Sequence, residues 1–329
     1  MSHGVPENYG WVPDPALAES LAEDSIARHG ATSLDDLPVN LDKPAIIYRA
    51  AARVLAGNRR YVDNHGLLLA LSQGGHGSCI GWGEARKILI TLAAGKYMRG
   101  MEIDWPVDAA GLPIAPSPSW QYGAARVAAN NLGRWEGASA AGAAKATEEM
   151  GWVWEKKYDN FDIRTYREED CNTWEAQGVP KVSLQYADDN LLKGRMRLTH
   201  VNQAVALCQA GYAFNITGPG KPDGVTRGEY GELYSGNRRW AHSMTGGICY
   251  VVYKIRPGKV FRGLGILNSH GSNKYKGPKG ALTGDLPNGA YISPLNEVQE
   301  AIDRRDCWVN FELDGLRPAQ RNWQRKVAA

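Results

Sequence analysis

Cys79 closes the run Gln73-Gly74-Gly75-His76-Gly77-Ser78-Cys79, a glycine-rich loop that leads straight into an apolar stretch with helical spacing. A cysteine in the first turn of a helix meets unpaired backbone N–H groups and the positive end of the helix dipole. Both favour the thiolate, the form of sulfur that attacks a carbonyl carbon. A lone cysteine near a helix start is more often a buried structural thiol, so the weight falls on its distant companions. His242 stands in Trp240-Ala241-His242-Ser243-Met244, at the entry to a β-branched and aromatic run. Asn268 stands in Ile266-Leu267-Asn268-Ser269-His270-Gly271, at the far end of the next such run. A hairpin turning at Pro257-Gly258 returns Asn268 close to His242, with a small excess to be absorbed by a bulge. Acyl transfer through sulfur needs a base that reaches the thiol and a third group that orients the base. Cysteine, histidine and asparagine supply that set.

The elements that must hold these residues are legible in outline. Helical spacing and end signals predict helices over Pro15–His29, Pro44–Gly57 and Cys79–Ala94, the last stopped by Gly95. Residues 105–120 are proline-rich and read as a loop, followed by alanine-rich helices over Gly123–Asn131 and Ser139–Met150. Further on come a short helix, Val201–Ala210, and a strand, Tyr212–Thr217. Gly218–Gly236 reads as a long surface loop. Ile248–Ile255 and Val260–Leu267 read as a strand pair turning at Arg256-Pro257-Gly258-Lys259. Helices first and strands later indicate an α+β chain of two lobes.

Composition narrows the function classes. The chain has 329 residues, 43% of them hydrophobic and 22% charged, enough for a sizeable core. A net charge of +3 without a clustered basic tract argues against nucleic acid as a partner. No apolar run is long enough to span a membrane, and the first residues lack the pattern of a secretory signal. Cys79, Cys171, Cys208, Cys249 and Cys307 are scattered, with no Cys-x-x-Cys pair. A structural zinc site and a disulfide framework are therefore not expected, and reduced cysteines in a cytoplasmic or virion-associated setting are. His65, His76 and Cys79 lack a fourth ligand with metal-site spacing, and no metal or organic cofactor is expected. His200, after Thr199, reads as a helix cap rather than a ligand.

The three blocks around Cys79, His242 and Asn268 resemble those of the papain-like cysteine peptidases, whose pattern is Gln-Gly-x-x-Gly-Ser-Cys, then a strand-borne His, then Asn-Ser-x-Gly. The similarity runs over about residues 61–295 and is strong only in those blocks. It implies a papain-like fold: a helical lobe over about 61–200 and a β-barrel-like lobe over about 201–310, within a catalytic domain of 61–329 behind a helical N-terminal extension of 1–60. By position it implies Cys79 as nucleophile, His242 as base and then acid, Asn268 as orienter, and Gln73 as an oxyanion donor with the Cys79 amide. It implies Gly137, ahead of an alanine-rich helix, as a residue that binds substrate backbone. The substrate it implies is a polypeptide, cut at peptide or isopeptide bonds. Three departures stand out. His76 occupies the position of a disulfide-forming cysteine, Ile80 that of an aromatic, and His270 that of a tryptophan that shields the Asn–His bond. The segment ahead of Cys79 is long and does not match the usual inhibitory pro-segment.

Two other readings use the same residues. A papain-fold structural protein of a virus particle or large assembly would dock through residues 1–60 or 95–138. A cell-wall amidase of related design would have a second histidine or another polar group where Asn268 stands.

Overall fold

Apolar periodicity from Cys79 onward builds the helix around which the chain is arranged. The computed structural model describes residues 10–29, 34–187, 192–218, 241–271, 277 and 286–312. In chain order its elements are α1 (Pro15–His29), β1 (Ala45–Ile46), α2 (Tyr48–Val54), α3 (Cys79–Ala94), α4 (Pro118–Ala128), α5 (Ala140–Met150), β2 (Lys157–Tyr158), β3 (Phe161–Asp162) and α6 (Glu168–Gln177). The second half holds β4 (Gly194–Arg197), α7 (Val201–Ala210), β5 (Phe214–Thr217), β6 (Ser243–Arg256), β7 (Lys259–Leu267), β8 (Ala290–Pro294), α8 (Leu295–Ile302) and β9 (Trp308–Phe311). The glycine-rich loop expected over Gly218–Gly236 lies, beyond Gly218, outside the described residues.

Every residue of α3 is buried, because α4 and α5 cover one side of it and β6 the other. Two glycines permit that sandwiching. A Cβ at Gly81 would lie 2.8 Å from the Tyr122 amide nitrogen of α4, and one at Gly83 would lie 3.3 Å from Met244 of β6. The polar residues that α3 carries inward are mostly paired. Lys87 Nζ reaches Glu84 at 2.8 Å and donates to Asn310 Oδ1 at 2.6 Å, while Thr147 donates to Glu84.

The sheet corrects the expectation of a β-barrel-like lobe. Its order is β1-β6-β7-β8, with β5 also on β6, all pairs antiparallel. β5 and β1 share one edge of the long β6, at Ser243–Gly246 and at Cys249–Tyr250. Closure would require β8 to pair with β5 or β1, and among the described residues it pairs only with β7. The chain passes directly from Pro294 into α8, which lies against β5, β7 and β8, so the sheet is covered by a helix and stays open. β4 and β9 form a separate two-stranded ladder.

The hairpin forms as the sequence requires, bulge included. β6 advances four residues from Gly246 to Tyr250 while β7 advances two, from Ile266 to Leu264. Gly247 takes the excess with φ of +73°, a conformation that glycine adopts without steric cost. β6 is longer than the run over Ile248–Ile255 suggests and begins at Ser243, immediately after His242. The helix expected over Pro44–Gly57 starts only at Tyr48. Ala45 and Ile46 pair with β6 instead, and the Ile47 amide bonds the Ile248 carbonyl at 3.0 Å. The β-branched side chain of Ile46 suits a sheet edge, and tertiary pairing overrides helical spacing there. α4 begins at Pro118, inside the segment read as loop, with Ser117 as its N-cap.

Candidate active site

Cys79 is the first residue of α3, and its side chain is wholly buried. The amide N–H of Ser243, next in sequence to His242, lies 3.3 Å from Cys79 Sγ, so the start of α3 meets the start of β6 at the sulfur. Burial pushes the Cys79 thiol up to about 12, against the opposing pull of the Ser243, Ile80 and Cys79 amides, and the nearby Glu136 carboxylate pushes the same way as burial. Desolvation thus outweighs the helix start in this closed arrangement.

His242 is also fully buried, and its Nε2 lies 2.8 Å from Asn268 Oδ1. Asn268 follows β7, and the register slip in the hairpin is what returns it to His242. His270 stacks on the His242 ring, with centroids 4.5 Å apart and planes at 22°. A second imidazole therefore stacks against His242.

Gln73 joins the two halves of the site. Its backbone N–H donates to Ser269 O at 2.9 Å, its Oε1 accepts from the Ser269 hydroxyl at 2.6 Å, and its Nε2 donates to His76 O at 3.0 Å. Tyr166 donates to the Gln73 carbonyl at 2.8 Å and lies 2.7 Å from Ser78 Oγ, pinning both ends of the loop before Cys79. His76 Nε2 comes within 3.3 Å of Glu175 without hydrogen-bond alignment, and its ring meets Tyr122 edge-on. Glu136 accepts from the Gly77 amide. Polar contacts thus tie the 73–78 loop to the 131–138 loop, and all five cysteines are free.

Gly137 lies beside this loop but turns its own groups inward. Its N–H donates to Tyr122 Oη at 3.0 Å, and its carbonyl accepts from Arg126. The extended-backbone contacts fall one residue later: Ala138 N–H donates to Gly10 O at 2.9 Å, and Val12 N–H donates to Ala138 O at 2.9 Å. Residues 10–12 thus form a strap, running parallel to Ala138 and crossing Gly77 so closely that a Cβ on Gly10 would overlap the Gly77 carbonyl. Trp11 belongs to the same buried cluster as Cys79 and the alanines of α5, and its indole N–H donates to Asp306 Oδ2 at 2.7 Å. Asp306 also accepts from the amides of Ala140 and Ala141 at 3.0 and 2.8 Å, and from the Trp308 indole at 3.0 Å. Neither Trp11 nor Asp306 carries a local sequence signal, since they lie 295 residues apart.

His200 caps α7, its Nδ1 accepting from the Asn202 amide at 3.1 Å. Among the described residues no group of three or more His, Cys, Asp or Glu side chains could hold a metal ion, and no helix is long and apolar enough to cross a membrane.

No family model matches the chain, and no curated protein does. Among solved structures it is similar to xylellain, a cysteine protease from Xylella fastidiosa, at 14% identity over 95% of this chain and 99% of that one, with a TM-score of 0.49. It is also similar to digestive procathepsin L 3 of the Tenebrio molitor larval midgut, at 12% identity over 91% and 94% of the two chains and a TM-score of 0.43. A third similar structure is the proform of the ragweed pollen allergen Amb a 11, a cysteine protease, at 14% identity over 90% and 76%, also with a TM-score of 0.43.

Proposed function

We propose that this chain is a thiol hydrolase of papain-like design that cleaves peptide or isopeptide bonds in a polypeptide substrate. The observation that carries the reading is the meeting of three elements at one point: Asn268 Oδ1 holds His242 Nε2 at 2.8 Å while the next residue's amide touches Cys79 Sγ. With Nε2–H committed to Asn268, the lone pair of the imidazole lies on Nδ1, which takes the thiol proton. The sulfur then attacks the substrate carbonyl carbon, and the Cys79 amide together with Gln73 steadies the oxyanion. For that role Gln73 turns an amide N–H from the His76 carbonyl toward the substrate oxygen. Collapse of the tetrahedral adduct breaks the C–N bond, and the imidazolium gives its proton to the leaving amine. A water molecule, deprotonated by His242, next attacks the thioester, releasing the acid and restoring the thiol. The Ala138 N–H and carbonyl, used by the strap, are the groups that fit an extended substrate backbone.

Cleavage of a mixed fluorogenic peptide library tests the reading, with Trp11→Ala to loosen the strap and Cys79→Ala as the control. Turnover that disappears with the Cys79 sulfur supports it. A folded, strap-loosened chain that turns over no peptide overturns it. One feature favours a second reading, a structural role: burial pushes the Cys79 thiol up to about 12. In that case the loosened chain alkylates at Cys79 yet cleaves nothing.

A further inference from the structure

His270 is fixed by main-chain contacts on both sides of its segment. It forms an antiparallel bridge with Ser72, and the Gln73 amide donates to Ser269 O at 2.9 Å. On the other side the Asn268 amide donates to Gly289 O at 3.3 Å. So held, the His270 ring lies against the His242 ring with centroids 4.5 Å apart and planes at 22°. The two stacked imidazoles differ in their surroundings. His242 is wholly buried and its Nε2 is bonded to Asn268, whereas His270 is only half-buried and keeps contact with solvent.

A stacked pair of imidazoles accepts one proton more readily than two. One imidazolium against a neutral ring brings no like charges together, whereas two would set like charges within the distance at which they oppose each other's ionisation. The first proton goes to the ring that water reaches, because charging the buried ring costs more desolvation. That ring is His270. With His270 charged, His242 resists becoming an imidazolium, whether the proton comes from solvent or from a thiol. Other charges stand around the pair on separate elements. The Cys79 sulfur meets the Ser243 amide, and the Glu136 carboxylate acts on that sulfur. The Gly218 amide donates to His242 O at 2.7 Å, with Arg304 packed against Gly218. Glu168 accepts from the Gly75 amide at 3.3 Å. A substitution at His270 leaves all of these groups in the chain, so it isolates the effect of the second ring.

We propose that His270 is a positioning residue that makes the site acid-sensitive: it takes the first proton of the stacked pair, and its charge then keeps His242 from taking another, including the one that Cys79 must give up. An apolar ring at this place would stack on His242 without titrating. The coupling of the two rings needs no catalysis, and only its effect on turnover rests on the hydrolase reading.

The test compares the unaltered full chain with His270→Phe, which keeps a flat ring against His242 and removes the charge. Should that variant not fold, His270→Gln, polar but unable to carry a charge, takes its place. NMR of the imidazole C2–H signals from about pH 8 to about pH 4 reads each ring directly. In the unaltered chain His270 should titrate first. In the variant the His242 midpoint should rise by about one pH unit or more, because the opposing charge is gone. The same His242 midpoint in both chains overturns the proposal, as does a His242 that stays neutral in both until the fold is lost. So does His242 titrating ahead of His270. The second measurement is the pH profile of kcat/KM on one peptide, with Trp11→Ala in both chains to loosen the strap. The acid limb should move to lower pH by about one unit in the His270 variant. A merely structural loss would lower activity equally at every pH and leave the limb in place. Coupled rings in a chain that turns over no peptide support the pairing and overturn the hydrolase reading. Turnover with the same acid limb in both chains keeps that reading and overturns the proposal.

Discussion

Asn268 Oδ1 accepts from His242 Nε2 at 2.8 Å and from the Ser269 amide at 2.6 Å. The second bond fixes the first. A backbone N–H can only donate, so the Asn268 atom it meets is the oxygen, and His242 Nε2 must carry the proton that the same oxygen receives. The tautomer of His242 is thereby set at Nε2, which leaves the lone pair on Nδ1.

Substitution of the three residues should separate their roles. Cys79→Ala should abolish turnover, and His242→Ala should lower kcat/KM by about 10²–10⁴-fold. Asn268→Ala should cost less, within about 10²-fold, because nucleophile, base and oxyanion donors stay in place. The His270 ring stacked on His242 limits the loss further by holding the imidazole plane. Kinetics of the three folded variants on one peptide check this. An Asn268→Ala enzyme as inactive as Cys79→Ala would show that Asn268 does more than orient.

The strap should control access to the sulfur. Trp11 is held by one charge-assisted hydrogen bond to buried Asp306 and by main-chain bonds at Ala138. A hydrogen bond to a charged group contributes about 1.5–3 kcal/mol, equivalent to about a 10–100-fold shift in an opening equilibrium. Trp11→Ala should therefore speed alkylation of Cys79 by iodoacetamide by about 10–100-fold, with the other four buried thiols unaffected. Equal rates in the two chains would place the barrier to the thiol elsewhere than at Trp11.

Residue order foretold the meeting of His242 and Asn268, and for a physical reason. A β-hairpin is a local structure whose turn fixes its register, so Pro257-Gly258 was enough to bring Asn268 toward His242. The slip between Gly246 and Tyr250 is the bulge that the spacing required. A helix start is local too, and Cys79 begins α3 as its flanking glycines suggest. Long-range pairings were not legible. Nothing near Ala45 announces an edge position on β6, nothing near Pro294 announces that α8 leaves the sheet open, and nothing near Trp11 announces Asp306. The ionisation of Cys79 was misjudged for a related reason. The helix start is visible in the sequence, whereas the burial that outweighs it comes from segments far away in the chain.

Gly81 offers a direct test of the sandwich that positions Cys79. A Cβ there would press on the Pro118 carbonyl and the Tyr122 backbone, rigid atoms of α4 that can yield only by moving the helix. Gly81→Ala gains helix propensity of about 1 kcal/mol, yet overpacking of this kind costs about 1–3 kcal/mol or more. The net effect should be a lower denaturation midpoint in urea. Gly81 lies inside α3 without a left-handed φ, so backbone strain does not enter and the wild-type chain is the reference. A Gly81→Ala midpoint at or above that of the wild type would mean that α3 and α4 are less tightly seated.

Asp306 supplies a pH dependence with a definite sign. Burial raises its carboxyl from the ordinary 3.8 to about 6, with the Trp11, Ala140, Ala141 and Trp308 N–H groups opposing the shift. Between those two values the folded chain holds a proton at Asp306 that the unfolded chain has released. Stability follows the difference in bound protons, so this group's contribution is fully present below about pH 4 and is lost as pH rises through about 6. The same proton weakens the strap, because a neutral carboxyl is a poorer acceptor for the Trp11 indole. Acid should therefore favour the folded state at this site while loosening residues 10–12 from the cleft. The measurement is urea unfolding of the wild-type chain and of Asp306→Asn from pH 4 to 7. Asn cannot titrate, so the variant's curve subtracts every other ionisable group common to both chains. The stability of the wild type relative to the variant should fall as pH rises across that window. A difference that is flat, or that grows with pH, would mean that the four N–H donors outweigh burial and that Asp306 is ionised throughout.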